Sequence, residues 1–231
     1  GVELERDLNR GIRIRGKEKD IDRLKFLVQD LGTYQPGQEE RAIIIFYKLM
    51  TSSFLAKVNN LSRDLAVSNT TLTSDLDYLE GMLAAFPIKL IRRPGYGLEL
   101  IGRERDKRLV FINLLMKKLE NSPLYSIEED EFIFLNQNHP ILNKLNSELI
   151  LPLLGPLREA LKNLSFTLTD YAKLETLFYL GLSSERIGID KCIKNISYED
   201  DNMAGEWKTS KEIYAYISQN ILEKEIGQEE I

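Results

Sequence analysis

The sequence predicts a mainly α fold in which a small β-hairpin follows a pair of helices and an all-helical domain comes after it. Apolar residues recur at helical spacing through most of the chain. Residues 89–101 instead place a glycine-rich turn, Pro94-Gly95-Tyr96-Gly97, between two runs of extended character, which is typical of a tight hairpin. The chain has 231 residues, 43% hydrophobic and 29% charged. These values are typical of soluble globular proteins, and the length suffices for two compact domains.

The N-terminal segment repeats further along the chain, which indicates a duplicated structural unit. At an offset of 86 residues, Leu4 and Gly11 recur as Leu90 and Gly97. Both copies are predicted to form strand, glycine turn, strand and helix. Because nothing precedes the first copy and Gly1 is not an initiator methionine, we expect the sequence to be a fragment that begins inside a domain.

A helical block between the two hairpins is predicted to form a helix-turn-helix. Apolar spacing predicts a helix over 39–50. Residues 61–68 are typical of a short helix that runs into a turn, and Ser68 is a good N-cap for a helix over 69–82. With the following hairpin as its wing, this block is a winged helix-turn-helix. Such domains place the second helix in the major groove, so the expected partner is double-stranded DNA.

The candidate DNA contacts lie on the second helix and the wing. The helix front offers hydroxyl and amide groups but no arginine or lysine, so direct base contacts and phosphate contacts are both open. Its candidate residues are Ser68, Asn69, Thr70, Thr71, Thr73 and Ser74. The candidate cations for phosphate binding are Lys57, Arg63, Lys89, Arg92 and Arg93. Tyr96 at the wing tip is either a sugar or minor-groove contact or a packing residue.

The net charge of −5 is unevenly distributed along the chain. Residues 1–118 sum to +5 and residues 119–231 to −10. The first half is therefore the candidate polyanion binder. Its run Arg103, Arg105, Lys107 and Arg108 is equally consistent with a solvated charged face.

The acidic second half is predicted to be helical. Leucine and isoleucine recur at helical spacing over 141–150, 153–164, 169–184 and 211–224. Asp170 is the predicted cap of the third of these helices.

Several classes of site are excluded by residue counts. One cysteine, Cys192, allows no internal disulfide, and one histidine, His139, leaves no metal cage of thiols or imidazoles. The acidic run 128–131 is better explained as a solvated segment than as a metal site. Without a catalytic constellation or a glycine-rich phosphate loop, we expect no enzyme activity and no cofactor. Without a signal peptide or an apolar run of about 20 residues, we expect a cytoplasmic protein that has no membrane partner.

Two stretches carry a family resemblance: residues 61–76, LSRDLAVSNTTLTSDL, and residues 90–104, LIRRPGYGLELIGRE. They resemble the second winged helix of bacterial transcription activators that carry phosphotransferase-system regulation domains (PRDs), the BglG/Mga-like family. This family has tandem winged helices followed by helical regulation domains and controls carbohydrate-uptake or virulence-type operons. The resemblance implies that residues 1–34 end a first winged helix with its wing and a connecting helix. It implies that residues 35–104 are the second winged helix and 105–231 a PRD-like domain truncated at its C-terminus, in a protein that dimerises with itself.

The resemblance also marks a regulatory position. In the family, phosphocarrier proteins of the sugar transport system phosphorylate a histidine that precedes a leucine and a short helix ending in Glu-Arg-Ile. Tyr179 occupies that position here, ahead of Glu185-Arg186-Ile187. A phenol, with a pKa of about 10, cannot replace an imidazole, with a pKa of about 6.5, in this phosphoryl chemistry. We therefore expect phosphotransferase-system proteins to act only through missing or degenerate regulation domains, and we expect His139 to be structural.

Two other functions stay open at this point. One is a regulatory or dimerisation module whose winged helix binds protein instead of DNA. The other is a relative of the RNA-binding antiterminators that share regulation domains, although their RNA-binding β-domain is not visible in the sequence.

Overall fold

The computed structural model describes residues 2–7, 11–21, 35–52, 55–93, 95–120, 125–128, 131–134, 149–194 and 204–230. Over these residues the fold is mainly α, as predicted, with three antiparallel two-stranded hairpins. The helices are α1 Gln38–Thr51, α2 Val58–Asp64, α3 Asn69–Leu83, α4 Glu104–Glu120, α5 Leu151–Leu161, α6 Asp170–Gly188 and α7 Ala204–Ile217. The strands are β1 Val2–Asp7, β2 Gly11–Gly16, β3 Lys89–Arg93, β4 Gly97–Ile101, β5 Tyr125–Glu128 and β6 Glu131–Phe134. None of the helices within these ranges is both long and apolar enough to span a membrane.

The sequence repeat is also a structural repeat. In the first hairpin Leu4 lies opposite Ile14, and in the second Leu90 lies opposite Leu100. The two pairs are related by the same offset of 86 residues, so the hairpins share one register. Residues 18–21 are helical after the first hairpin, just as α4 follows the second. The predicted continuation of that first helix lies outside the described residues.

Helices α1, α2 and α3 with the hairpin β3–β4 form the predicted winged helix-turn-helix. The apolar face of α3 packs on α1 and is buried at each predicted position: Leu72, Leu76, Leu79 and Leu83. The turn between α2 and α3 contains Ala66 in the left-handed region, with φ of 52°. The N–H of Ala66 donates to the carbonyl of Arg63, which closes the turn and sets the direction of α3.

The wing is attached to the segment that precedes α2. The N–H of Leu98 donates to the carbonyl oxygen of Ala56 at 2.8 Å. Gly97 has φ of 131°, and a Cβ there would lie 2.7 Å from the same Ala56 oxygen. Only glycine satisfies both conditions without strain, so this contact holds the wing beside α2.

Helix α4 joins the winged helix to the helical domain. It packs on α1 through Phe111, whose ring meets the Phe46 ring edge to face with centroids 5.6 Å apart. It also packs on α6, and α5 and α7 pack together behind α6. One apolar core therefore runs from the winged helix into the helical domain.

The second half of the chain differs from the sequence prediction in one element. The hairpin β5–β6 pairs residues 125–128 with 131–134, in a domain that was predicted to be all-helical. Both strands are rich in aromatic and β-branched residues, Ile127 and Phe132 among them, and these favour strands over helix. The acidic run 128–131 spans the end of β5 and the start of β6.

Two helix starts also differ from prediction. The N-cap of α6 is Thr169 and not Asp170, because the Thr169 hydroxyl accepts from the N–H of Ala172. Helix α7 begins at Ala204, before the predicted start at 211, and ends at Ile217. The helix predicted over 141–150 lies outside the described residues except for its last two positions, and so does His139.

A buried network of charges lies between α4 and α6. Arg108 is fully buried and donates to Glu230 at 2.6 and 3.0 Å, to Glu104 at 3.1 Å and to the carbonyl of Lys191 at 2.8 Å. Arg186 donates to both carboxylate oxygens of Glu104, at 2.6 and 2.7 Å. Arg108 is thus a structural residue and not part of a solvated charged face.

A further polar contact joins α6 to α1 of the winged helix. The Tyr47 hydroxyl of α1 donates to the carboxylate of Glu185 at 2.6 Å. Glu185 and Arg186 are neighbours on α6, so this helix contacts the winged helix through α1 and the buried network through α4. The position of α6 is therefore set by two polar contacts as well as by the core.

Glu104 is ionised at neutral pH in this network. Burial alone would raise the pKa of Glu104, but the hydrogen bonds from Arg186 and the charges of Arg186 and Arg108 hold it below its ordinary value. The carboxylate therefore contributes stability above the pKa that Glu has in the unfolded chain, and this stability is lost as the pH falls through the folded pKa.

Loss of the Glu230 carboxylate should destabilise the fold strongly, because Arg108 would stay buried without its main counter-charge. We expect Glu230→Gln to lower the free energy of unfolding by about 3–5 kcal/mol, measured by urea denaturation at pH 7. Glu159→Gln is the matched control, since Glu159 pairs with Lys162 at 2.7 Å but on the surface. That change should cost less than about 1 kcal/mol. Similar small losses in both variants would contradict the role given to the buried pair.

The pH dependence of stability tests Glu104. The free energy of unfolding should decline as the pH falls below about 5, because the unfolded chain then begins to bind a proton at Glu104 that the folded chain, with its lowered pKa, does not yet bind. Glu104→Gln removes this titration, so the variant should be less stable at pH 7 and should lose less stability between pH 7 and pH 3. Parallel pH profiles for the two proteins would show that Glu104 contributes nothing to acid sensitivity.

Candidate nucleic-acid interface

The start of α3 is held by its own polar side chains. The Ser68 hydroxyl accepts from the N–H of Thr71 at 3.0 Å, as predicted for the N-cap, and the two hydroxyls lie 2.9 Å apart. The Asn69 amide donates to the side-chain oxygen of Asn59 at 3.2 Å. Thr70 is exposed on the same turn. The hydroxyls of Ser68 and Thr71 are therefore engaged in capping, while Asn69 and Thr70 face solvent.

The next turn of α3 is tied to α1. The Thr73 hydroxyl donates to the carbonyl of Asn69 at 2.9 Å, and Gln38 at the start of α1 donates to the Ser74 hydroxyl at 3.0 Å. Both Thr73 and Ser74 remain exposed. The predicted front of the helix is thus a continuous solvent-facing row of small polar groups.

The three carboxylates of α3 are each paired with an arginine from another element. Asp75 is fully buried and accepts from Arg41 at 2.6 and 2.7 Å. Arg92 of the wing donates from Nε to Glu80 at 2.9 Å, and its Nη2 lies 2.8 Å from Asp77. Asp77 and Glu80 thus share one guanidinium, and the two arginines reduce the net charge of the three acids of α3 from −3 to −1.

A cleft of about 380 Å³ separates α2 and α3 from the wing. It brings together three of the predicted cations, Lys57, Arg92 and Arg93, with Thr73 of α3. Arg92 is committed to the acids of α3, whereas Arg93 is half-exposed and lies 3.1 Å from Glu99. Lys57 and Arg93 are therefore the cations of this cleft that face solvent.

The other predicted contacts lie outside the cleft. Lys89 is exposed at the base of the wing, four residues along β3 from Arg93, and Arg63 is exposed at the end of α2. Tyr96 at the wing tip is 74% exposed, so it is not a packing residue within this chain. Asn59 was missed by the sequence analysis. It lines the cleft and supports Asn69, but no local motif marks a lone asparagine in α2 as a partner of α3.

Tyr179, which the sequence analysis predicts to stand at the family's phosphohistidine position, lies on α6 and is partly buried. Its neighbourhood is polar and charged. Burial raises the pKa of the Tyr214 phenol, and Tyr179 beside it adds to this effect. An electrostatic interaction also links Tyr179 with Arg108. Tyr179 is thus close to the buried network that joins α4 and α6.

Comparison with known proteins agrees with this geometry. Residues 39–115, from α1 into α4, match the family model of the Mga helix-turn-helix domain. A protein of Bacillus subtilis (strain 168) named as a licABCH operon regulator is 22% identical over 197 residues, 84% of this chain. A protein of Streptococcus mutans serotype c named as the transcriptional regulator MtlR is 35% identical over 92 residues, 40% of this chain. The matched segments span 28% and 14% of the length of these two curated relatives.

The fold and the matches place residues 39–115 in the class of helix-turn-helix domains. Residues 39–115, about a third of the chain, are similar to the Mga helix-turn-helix domain. The resemblance to the Mga/BglG-like regulators predicted from residues 61–76 and 90–104 is thereby confirmed.

Proposed function

We propose that this chain is the DNA-binding and first regulatory part of a transcriptional activator of sugar operons. The names of the two relatives support the class of target. The observation that carries the proposal is the polar front of α3, whose exposed acids are both paired with Arg92, beside a cleft lined by Lys57 and Arg93. A helix whose acids are covered can approach DNA phosphates without repulsion, and cations at its flank can bind them.

We further propose a division of labour within the interface. Lys57 and Arg93 neutralise phosphates, which fixes the position of the domain on the duplex. Asn69, Thr70 and Thr73 lie on the exposed face that would enter the major groove, where an amide can pair with adenine and threonine methyls can touch thymine. Arg92 acts within the protein, by holding Asp77 and Glu80 away from the DNA.

The organisation around this interface follows the resembled family in our proposal. Residues 1–34 end a first winged helix, residues 35–104 form the second, and residues 105–231 form part of a PRD-like domain. The protein is cytoplasmic, has no enzymatic role and binds DNA as a homodimer. The equal register of the two hairpins supports the tandem arrangement.

The salt dependence of duplex binding tests this function. Each phosphate contact that is lost should lower the slope of log affinity against log salt by about 0.9. We expect Lys57→Ala with Arg93→Ala to flatten the slope by up to about 2 units, measured by anisotropy of a labelled duplex. Lys117→Ala, an exposed change on α4 away from the cleft, should leave the slope unchanged. A double variant with the wild-type slope would refute the interface.

Arg92 gives a prediction of a different kind. Arg92→Ala should weaken duplex binding about 5-fold, or about 1 kcal/mol, because Asp77 and Glu80 would then repel the phosphates. Adding Asp77→Asn and Glu80→Gln should restore the affinity to nearly the wild-type value. If the triple variant stays weak and its salt slope is lower by about 0.9, Arg92 contacts phosphate itself.

We infer that the regulation domain in this chain does not receive a phosphoryl group at its family position. The phenol of Tyr179 lacks the imidazole nitrogen that accepts the group in such relays. Phosphotransferase-system proteins would then act on the whole protein through other regulation domains.

Phosphoryl transfer can be measured directly. Incubated with phosphocarrier protein, its phosphorylating enzyme and labelled phosphoenolpyruvate, the chain should take up no label at Tyr179. The control is His139→Ala, which should behave like the wild type. Label at Tyr179 would overturn the chemical argument, whereas label that His139→Ala abolishes would move the acceptor to His139. Tyr179→His then tests whether an imidazole at this position is sufficient for acceptance.

A further inference from the structure

We propose that a second cleft, between the first turn of α4 and residues 191–194, binds a phosphate-bearing anion. The cleft has a volume of about 500 Å³ and is lined by Arg103 and Arg105 from one side and by Lys194 from the other. It lies where the winged helix passes into the helical domain. This proposal does not rest on the proposed DNA-binding function.

In the described part of the chain, the cations that line this cleft outnumber its unengaged acids. Of the two acids that line it, Glu104 is already engaged by Arg186 and Arg108, which leaves Asp106. Within the described part of the chain, no ion pair is formed by Arg103, Arg105 or Lys194. The basic run seen in the sequence thus contains the buried Arg108, which is paired with acids, and the exposed Arg103 and Arg105, which form no ion pair within the described residues.

Lys107 of α4 lies near further cations. Its pKa is lowered first by burial, and the charges of Arg186 and Lys191 add to this effect while those of Glu104 and Glu99 oppose it. Cations from α4, from α6 and from the segment after α6 therefore converge on this region.

The chemistry of the lining favours a phosphate group. Two arginines present planar sets of N–H donors that suit tetrahedral oxyanions, and a lysine adds a point charge. The volume lies within the range of small-molecule sites and exceeds what inorganic phosphate alone would fill. A phosphorylated small molecule is one source of the group, and the DNA backbone is the other.

The position of the cleft separates it from the proposed DNA interface. Tyr96 marks the wing tip, and Arg103 follows it by seven residues, most of them in β4. At about 3.3 Å per residue the cleft lies roughly 20 Å from the tip. A ligand held from both sides would connect the start of α4 to the segment after α6, in parallel with the ion pair between Glu104 and Arg186.

The chain has a built-in reporter for this cleft. Cys192 is its one cysteine, lines the cleft and is partly buried. We expect inorganic phosphate to slow the reaction of Cys192 with the neutral reagent 4,4′-dithiodipyridine in a saturable way. The half-effect should fall at a phosphate concentration on the order of 1 mM. The same reaction in potassium chloride at equal ionic strength and pH is the control, because chloride reproduces the general effect of salt on the rate without the phosphate group.

The variants decide whether the cleft is responsible. Arg105→Ala with Lys194→Ala should abolish the protection and the rise in melting temperature that phosphate gives to the wild type. Lys117→Ala with Lys208→Ala removes two exposed charges elsewhere and should preserve both effects. All four side chains are exposed, so folding should be retained, and the melting temperature without phosphate checks this.

The same Cys192 reaction, measured with a DNA duplex in place of phosphate, distinguishes the two sources of the phosphate group. If a duplex in phosphate-free buffer protects Cys192 and Arg105→Ala with Lys194→Ala removes that protection, the DNA backbone occupies the cleft. If only free phosphate protects, the ligand is a small phosphorylated molecule. If neither protects beyond chloride, or the cleft variants respond like the wild type, the proposal is overturned. The phosphate arm gives its answer even if the chain binds no DNA.

Discussion

The pairing of Arg108 with Glu230 and of Arg186 with Glu104 is the interaction on which the rest of the structure depends. A buried guanidinium is tolerated only when its hydrogen bonds and charge are both satisfied. Arg108 meets this condition through α4, the turn Gln228–Glu230 and the segment after α6 together. Since α4 begins three residues after the wing ends, this network also fixes the orientation of the winged helix relative to the helical domain.

Charge compensation also shapes the surface that faces outward. Helix α3 carries Asp75, Asp77 and Glu80, which would oppose a polyanion if they were free. Arg41 and Arg92 pair with them from α1 and the wing, so one set of contacts both fastens α3 into its domain and reduces its net negative charge to one unit. Stability and function are therefore linked at this helix, because the arginines that position it also set its charge.

Local chemistry made much of this predictable from the sequence. The Ser68 cap, the apolar face of α3 and the glycine turn of the wing depend on residues a few positions apart, and the structure has all three. The burial of Arg108 and the engagement of Arg92 depend on partners 122 and 12 to 15 residues away, which no local pattern specifies. The hairpin β5–β6 was not predicted, because the acidic run 128–131 interrupts its strand-forming residues and is typical of a solvated segment.

The interface itself is tested most directly by site-specific photocrosslinking to duplex DNA. A benzoylphenylalanine placed at Tyr96 or Thr70 should crosslink to a labelled duplex, because both side chains are exposed on the wing tip and the front of α3. The same group at Tyr171, exposed on α6 in the helical domain, should not. Crosslinks from position 171 with none from 96 or 70 would contradict the assignment of the winged helix as the DNA-binding surface.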